Sequence, residues 1–356
     1  MRILHISSAS SFGGGERYVV DLTNSLTARG HELYVAVRPN SPLPRHLHLP
    51  PERLLTLPLR NALDVPSAHA LDRFVRRQRI EVVHAHMARD YSLASYAARR
   101  NRGTKFIATR HVLFPLSRLH RHTLARATRV IAVSQAVAKK LRGILRESQI
   151  AVIPNGVDVD RFNRACVETD RGLLVGSIGE LRTLKRHDDF IRAAARIASR
   201  FPEAQFVLAG IDTSASSEVR KQLERLAVEL GLSDRFRFLG WVEDAAKLLC
   251  EMDVFVSASQ TESFGLAIVE AMAAETAVVA TATEGAQEVI EDQKTGLLVP
   301  IGDIDRISEA VTELLANPQR RREMAAHAKE AANTRFSLKR MVDEIEKIYL
   351  AADERG

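Results

Sequence analysis

Glu262 and Glu270 stand eight residues apart in the stretch DVFVSASQTESFGLAIVEAMAAETAVVATATEG, which runs from Asp253 to Gly285. Two carboxylates so placed, one on a loop and one in the second turn of the helix that follows, can accept hydrogen bonds from the vicinal hydroxyls of a ribose or a hexose. Between them Phe264, Gly265 and Leu266 open a helical pattern in which Leu266, Val269 and Ala273 share a face. The first amides of such a helix have no intrahelical acceptor and lie at the positive end of its dipole, which is the chemistry that holds a phosphate. The unit reads as a cradle for a nucleotide sugar. Acidic residues also favour helix starts through the dipole alone, so the pair by itself leaves a structural role open.

The flanking apolar runs, Val254–Val256 and Ala277–Ala280, have the character of strands buried in a parallel sheet. Further strands of that sheet are expected at Leu173–Ile178, Ala204–Ala209, Phe236–Leu239 and Gly296–Val299. The first of these leads into the loop Gly179–Arg186, which carries Arg182 and Lys185. Cations at a strand's carboxyl end can neutralise a diphosphate and ease its departure; as surface charges they would need no ligand.

The N-terminal half repeats the α/β alternation. Arg2–Ser7 reads as a strand, Ser10–Gly15 as a glycine-rich turn, Glu16–Ala28 as a helix stopped by Gly30, and His31–Val37 as the second strand. The order is Rossmann-like, but GGG is not G-x-G-x-x-G and Arg38 stands where a dinucleotide dehydrogenase needs an acid. Strands at Glu81–His84, Lys105–Thr109, Arg129–Val133 and Ile150–Ile153 follow, with Pro39–Pro58 an irregular loop. His84 and His86 would face one side of the chain, yet no third zinc ligand is placed, and no metal site is expected. His111 follows a strand's carboxyl end, where α/β sheets hold ligands.

The chain has 356 residues, enough for two domains, and two cysteines, Cys166 and Cys250, which fit a reducing compartment without a disulfide. No run is apolar enough to span a bilayer. The net charge of +7 is unevenly spread: residues 1–165 hold 27 Lys+Arg against 11 Asp+Glu, a balance of +16, which leaves 24 against 33, or −9, for the rest. Ten of the 12 histidines also lie in the first part. Such asymmetry suggests an anionic partner for the first half. The basic segment Leu116–Arg129 could form an amphipathic helix on anionic lipid or a solvated one. Aromatic residues at 5% and the lack of a recognition motif argue against nucleic acid.

ExFGLxxxEAMA, together with FGGGE near the start, IPNGVD in the middle and KTGLLVP near the end, resembles the retaining glycosyltransferases of family four, and the match covers nearly the whole chain. The resemblance implies a GT-B fold, two Rossmann-like α/β domains facing across a cleft. It suggests an N-terminal acceptor domain over 1–162, a nucleotide-sugar donor domain over 163–335, and a terminal helix over 336–356 that crosses back. It implies hexosyl transfer from a nucleotide-diphosphate sugar, UDP first among them; the basic first half, by its charge, suggests an anionic or lipid-linked glycan acceptor of cell-envelope or polysaccharide synthesis. The enzyme would be cytoplasmic or peripheral on the inner membrane face.

On this likeness His111 lies against the sugar, and Gly13 and Gly14 allow close approach to the donor. Glu262 contacts the sugar, Glu270 holds ribose hydroxyls, and the amides at Phe264, Gly265 and Leu266 receive phosphate beside Lys185 and Arg182. No cofactor or metal is needed, because the cations take its place. The family's arginine directly after Gly179 is absent: Glu180 stands there, and Arg182 would substitute from two residues on. Glu275 and Ala277 replace the usual Gly and Pro. Asp158 and Asp160 mimic a D-x-D metal motif on what reads as a linker. A nucleotide-sugar epimerase and an inactive nucleotide-sugar-binding scaffold remain alternatives.

Overall fold

Strand after strand in this chain is a short run of Val, Ile, Leu and Ala with buried residues on both faces, the pattern that only a sheet covered by helices on each side can use. A computed structural model describes residues 1–165, 172–214 and 217–351. It divides into two units, Met1–Gly156 with the C-terminal stretch from Leu338, and Val157–Ser337.

The first unit holds β1 (Arg2–Ser7), β2 (Glu32–Val37), β3 (Leu54–Thr56), β4 (Val82–Ala85), β5 (Lys105–Arg110), β6 (Arg129–Ala132) and β7 (Ile150–Val152). They form one sheet in the order β3-β2-β1-β4-β5-β6-β7, all parallel. The order reverses between β1 and β4, which makes their carboxyl ends the switch point where open α/β sheets receive ligands. Ile6 lies opposite Ala85 in that pair, so Ser7 and His86 leave the sheet side by side.

The region Pro39–Pro58 is not wholly irregular. It contains two short 3₁₀ turns and the edge strand β3, which pairs with β2 from Val35 to Val37. An edge strand of three residues between prolines offers no period to read. The helix expected from Glu16 begins at Gly14, with Gly13 as its N-cap; the Gly13 amide donates to Glu16 Oε2 at 3.0 Å. The final helix, Leu338–Leu350, packs Met341, Val342, Ile345 and Tyr349 into the core of this first unit. Arg29 holds it from outside through Asp343 and Glu346, both at 2.6 Å.

The second unit holds β8 (Leu174–Ile178), β9 (Gln205–Ala209), β10 (Phe236–Gly240), β11 (Val254–Ser257), β12 (Ala277–Thr281) and β13 (Leu297–Val299). Their order is β10-β9-β8-β11-β12-β13, again all parallel. The switch point lies between β8 and β11, and these are the strands whose loops carry Lys185 and Glu262. Both sheets are the doubly wound, Rossmann-like α/β layers expected.

Two local expectations need correction. Asp160 lies not on a linker but in the first turn of a helix, Val159–Ala165. Cys250 is disulfide-bonded, contrary to the expectation of unpaired thiols; Cys166 lies outside the described residues.

Candidate functional site

The loop between β11 and the helix Leu266–Ala273 is held by its own side chains and by its neighbours. Thr281 on β12 donates to the Ser259 carbonyl at 2.6 Å. Ser259 Oγ donates to Glu262 Oε1 at 2.7 Å. Gly285 closes the loop from the far side, its amide donating to the Glu262 carbonyl at 3.0 Å. A Cβ on Gly285 would sit 2.6 Å from both that oxygen and the Phe264 nitrogen, so only glycine fits there. Phe264 is buried and meets Phe336 edge to face, ring centroids 5.7 Å apart.

Gly265 caps the helix with φ +95°, the left-handed region that glycine enters without strain. The first intrahelical bond runs from the Ile268 amide to the Gly265 carbonyl at 3.0 Å, so the amides of Leu266 and Ala267 precede it. These are the donors that a helix start leaves without an intrahelical acceptor. Glu270 follows in the second turn, half-buried.

The loop after β8 meets this one directly. The Gln260 amide donates to the Leu184 carbonyl at 2.9 Å, and Lys185 Nζ reaches Glu262 Oε1 at 2.6 Å. The structure thus brings together two residues that the sequence separates by 77 positions. The pair is only 30% and 14% exposed on its lysine and glutamate sides.

Arg182 is placed differently. It is half-exposed and pairs with Glu180 at 3.4 Å, the residue it was expected to compensate for. Glu180 also accepts from Thr213 Oγ1 at 2.6 Å. The carboxylate therefore engages both Arg182 and Thr213. An open cavity of about 340 Å³ lies beside Arg182, with Leu181, Asp212 and Thr213 in its wall; Lys185, Glu262 and Glu270 do not line it.

His187, the first residue of the helix that follows, lies beneath this loop. Its Nε2 contacts the Glu180 carbonyl at 3.2 Å, and burial pushes its pKa down to about 4. A neutral ring donates there and fixes the loop without adding charge. Gly210 is required for the same junction: at φ +152°, a Cβ would fall 1.8 Å from the Gly179 carbonyl oxygen.

In the first unit, His111 follows β5, as expected. Tyr18, from the helix that Gly13 and Gly14 begin, meets it edge to face at 4.8 Å. The His111 Nε2 is buried without a hydrogen-bond partner among the described residues, and burial, with Arg110 beside it, lowers the ring's pKa to about 4. The ring is therefore neutral at ordinary pH. Arg110 donates to the Phe114 carbonyl and braces the loop that His111 begins.

His84 and His86 have a third ring beside them that the sequence did not place. His5 lies opposite His84 in the β1–β4 register, and one ligating atom from each of the three lies within 4.8 Å of the others. Most of their lone pairs are committed, however. His84 Nδ1 contacts Tyr349 Oη at 2.5 Å and its Nε2 contacts Thr109 Oγ1 at 2.7 Å. His5 Nδ1 meets Thr23 Oγ1 at 2.9 Å, and its Nε2 meets Tyr349 Oη at 3.3 Å. The hydroxyl of Tyr349 thus occupies the space between two of the rings, and the set ties the C-terminal helix to the sheet. Of the three rings, His86 has no hydrogen-bond partner at either nitrogen among the described residues.

Asp90, which the sequence reading passed over, is fully buried. Its Oδ2 accepts the Ser8 amide at 2.9 Å, while its Oδ1 has no hydrogen-bond partner among the described residues. Burial raises its pKa to about 6, so it is ionised at neutral pH. Its signal was its place, five residues past the end of β4 at the switch point, where a buried acid has few structural reasons to be.

Comparison with known proteins was consistent in both units. Residues 159–331 match the family model "Glycosyl transferases group 1", and residues 12–161 match "Glycosyltransferase Family 4". The chain is 28% identical to the lipopolysaccharide core biosynthesis glycosyltransferase LpsE of Rhizobium meliloti, over 96% of this chain and 97% of that one. It is 30% identical to the phosphatidyl-myo-inositol mannosyltransferase of Mycolicibacterium smegmatis, over 97% and 92% of the two chains. Among solved structures, Anabaena Alr3699/HepE in complex with UDP and glucose superposes with a TM-score of 0.86 at 22% identity, covering 99% of this chain and 100% of that one. At that identity the likeness shows the GT-B fold.

Proposed function

The chain belongs to the family-four glycosyltransferases, and from that premise we propose that it moves a hexosyl group, with retention, from a nucleotide-diphosphate sugar to a glycan acceptor. The observation that carries the reading is the contact of Lys185 with Glu262 across two βα loops, beside the open amides of the helix that Gly265 caps. Cation, carboxylate and amides at one switch point suit a sugar diphosphate: the diphosphate goes to Lys185 and the amides, the sugar to Glu262, the ribose hydroxyls to Glu270. UDP is the first choice of nucleotide, supported by the ligand named for the HepE structure. In the first unit Gly13, Gly14 and His111 are proposed for substrate binding, His111 as a neutral donor or acceptor of hydrogen bonds.

The step is a same-face displacement. The acceptor oxygen bonds to the anomeric carbon as the bond from that carbon to the phosphate oxygen breaks. The departing nucleoside diphosphate takes the acceptor's proton. Lys185 stabilises the charge that develops on the phosphate. Arg182 assists only once it has left Glu180. No metal enters the scheme, and activity is expected to persist in EDTA.

The acceptor is an anionic or lipid-linked glycan of envelope or polysaccharide synthesis. The names of LpsE and of the mannosyltransferase support that class, as does the balance of +16 over residues 1–165. In the first unit Phe114, Val112 and Leu119 are exposed near Arg118 on the short helix Arg118–Leu124. Apolar and basic groups so mixed suit the surface of an anionic membrane. No helix among the described residues is long and apolar enough to cross one.

The test is turnover. Lipid-linked and lipopolysaccharide-type glycans are offered with UDP-glucose, GDP-mannose or ADP-glucose, and nucleotide release and product anomer are read by NMR. A product with the donor's anomeric configuration supports the reading. An inverted product, or conversion of the donor to its epimer without acceptor, contradicts it. Vesicles with anionic lipid should bind the protein at low salt and release it as salt rises; equal binding to neutral vesicles would remove the membrane role.

A further inference from the structure

The loop that carries Glu262, Phe264 and Gly265 is braced at two points by neighbouring residues at the end of one helix. Arg335 is the last residue of the helix Pro318–Arg335, and Phe336 caps it, its amide donating to the Ala332 carbonyl at 3.0 Å. Phe336 and Phe264 are both buried, and their rings meet edge to face at 75°, centroids 5.7 Å apart. The Arg335 guanidinium lies over the Phe336 ring, 4.8 Å from its centroid, and its Nη2 donates to the Glu288 carbonyl at 2.9 Å. Glu288 belongs to the helix Glu284–Val289, the one whose Gly285 amide closes the loop on the Glu262 carbonyl. One residue thus supports Phe264, and the other supports the element behind Glu262.

An edge-to-face pair adds a direction to plain apolar burial, and a guanidinium over a ring adds an electrostatic one. A leucine at position 336 would keep most of the burial and lose the direction. Phe264 has little freedom once its ring is fixed: its backbone nitrogen faces Gly285, where even a Cβ would come to 2.6 Å, and Gly265 follows at φ +95°. Phe336 has one more contact. Its carbonyl accepts the Val157 amide at 2.9 Å, and Val157 pairs with Ser337 in an isolated parallel bridge. Val157 is the first residue of this unit and Ser337 its last. The ring that touches the donor loop therefore stands on the backbone where the chain enters and leaves the unit.

We infer that Arg335 and Phe336 are positioning residues for the donor loop, and that through them nucleotide binding at the loop is felt at the Val157 amide. The inference rests on the transferase reading, which puts a diphosphate on the amides of Leu266 and Ala267. A loop free to shift opens the Phe264–Phe336 contact and, with it, the turn that holds Val157. A diphosphate that ties down those amides stops the motion, so the hydrogen bond from Val157 to Phe336 opens less often. By reciprocity, whatever loosens Phe336 lowers nucleotide affinity. Neither residue is asked to touch the nucleotide, and every contact in the link lies within the second unit.

The experiment uses the full chain and whichever of UDP, GDP and ADP binds the wild type in calorimetry. Deuterium exchange of the Val157 amide is followed by NMR with and without that nucleotide, in wild type, Arg335→Ala, Phe336→Leu and Ile307→Val. The last removes one methyl from the buried core of the same unit and lowers stability without touching the link. In the wild type, nucleotide should slow exchange at Val157 about threefold or more. Nucleotide affinity should fall roughly three- to tenfold in Phe336→Leu and about threefold in Arg335→Ala, with the slowing at Val157 lost in both. Ile307→Val should keep the wild-type affinity and the slowing. Arg335 is exposed, so Arg335→Ala carries the test alone should Phe336→Leu fail to fold. Unchanged affinity in both variants, no slowing at Val157 in the wild type, or an equal loss of affinity in Ile307→Val would each overturn the inference. A wild type that binds none of the three nucleotides would instead overturn the donor cradle, and the transferase reading with it.

Discussion

Lys185 spends its charge on Glu262 at 2.6 Å, in a setting where neither group is well solvated. On the proposed mechanism that charge stabilises the leaving diphosphate. Lys185→Gln should therefore slow nucleoside-diphosphate release by about 10²–10³-fold in kcat; an unchanged kcat with a raised KM would assign the lysine to ground-state binding alone. The types and spacing of Glu262, Glu270 and Lys185 were legible because each follows a strand that the apolar pattern marks. Their contact was not, since 77 residues separate Lys185 from Glu262 and only the β8–β11 adjacency brings them together. Arg182 shows the opposite limit. Its charge suggested a substitute for the missing arginine; that it pairs with Glu180 could not be read from its position two residues on. Asp90 and His5 were invisible for a related reason: what distinguishes them is the strand beside them, and a parallel sheet of order 3-2-1-4 hides its neighbours from sequence distance.

The element that braces the proposed donor cradle is the turn at Gly285. A methyl there would meet the Glu262 carbonyl and the Phe264 amide at 2.6 Å, and both are backbone atoms that cannot swing aside. Gly285→Ala should cost about 1–3 kcal/mol through overpacking and lower nucleoside-diphosphate affinity by displacing the loop. Thermal melts and calorimetry check both; a loss of stability with unchanged affinity would show that the turn serves folding only. At this scale most of the architecture was readable, because parallel strands buried on both faces are short continuous apolar runs. β3 escaped, being three residues on an edge. The start of the first helix was misplaced by two residues because Gly14 and Gly15 read as a turn. They are helical because the Gly13–Glu16 capping contact, not intrinsic propensity, sets that end.

Across the whole molecule, stability should follow pH through buried histidines. Burial lowers the pKa of His5 to about 3 and those of His111 and His187 to about 4, and takes His84 and His86 well below the ordinary value of 6.5. As pH falls through 6.5 toward 4 the unfolded chain gains protons on these rings and the native one does not, so stability drops. Asp90, raised from 3.8 to about 6, acts oppositely over its own window, as one group against five. The melting temperature should thus fall between pH 7 and pH 5, and a flat or rising profile would show that these rings are hydrated or protonated in the native state. The charge division between the halves was legible in the sequence; the burial of these histidines was not, since histidine is equally at home on a surface. The central claim is the nucleotide cradle of the second unit, and calorimetric binding of UDP, GDP and ADP to wild type and Glu270→Ala tests it most directly. The account predicts that one diphosphate binds selectively and that the substitution weakens it by about 1–3 kcal/mol. Equal affinity in the two proteins, or no binding of any of the three, would contradict it.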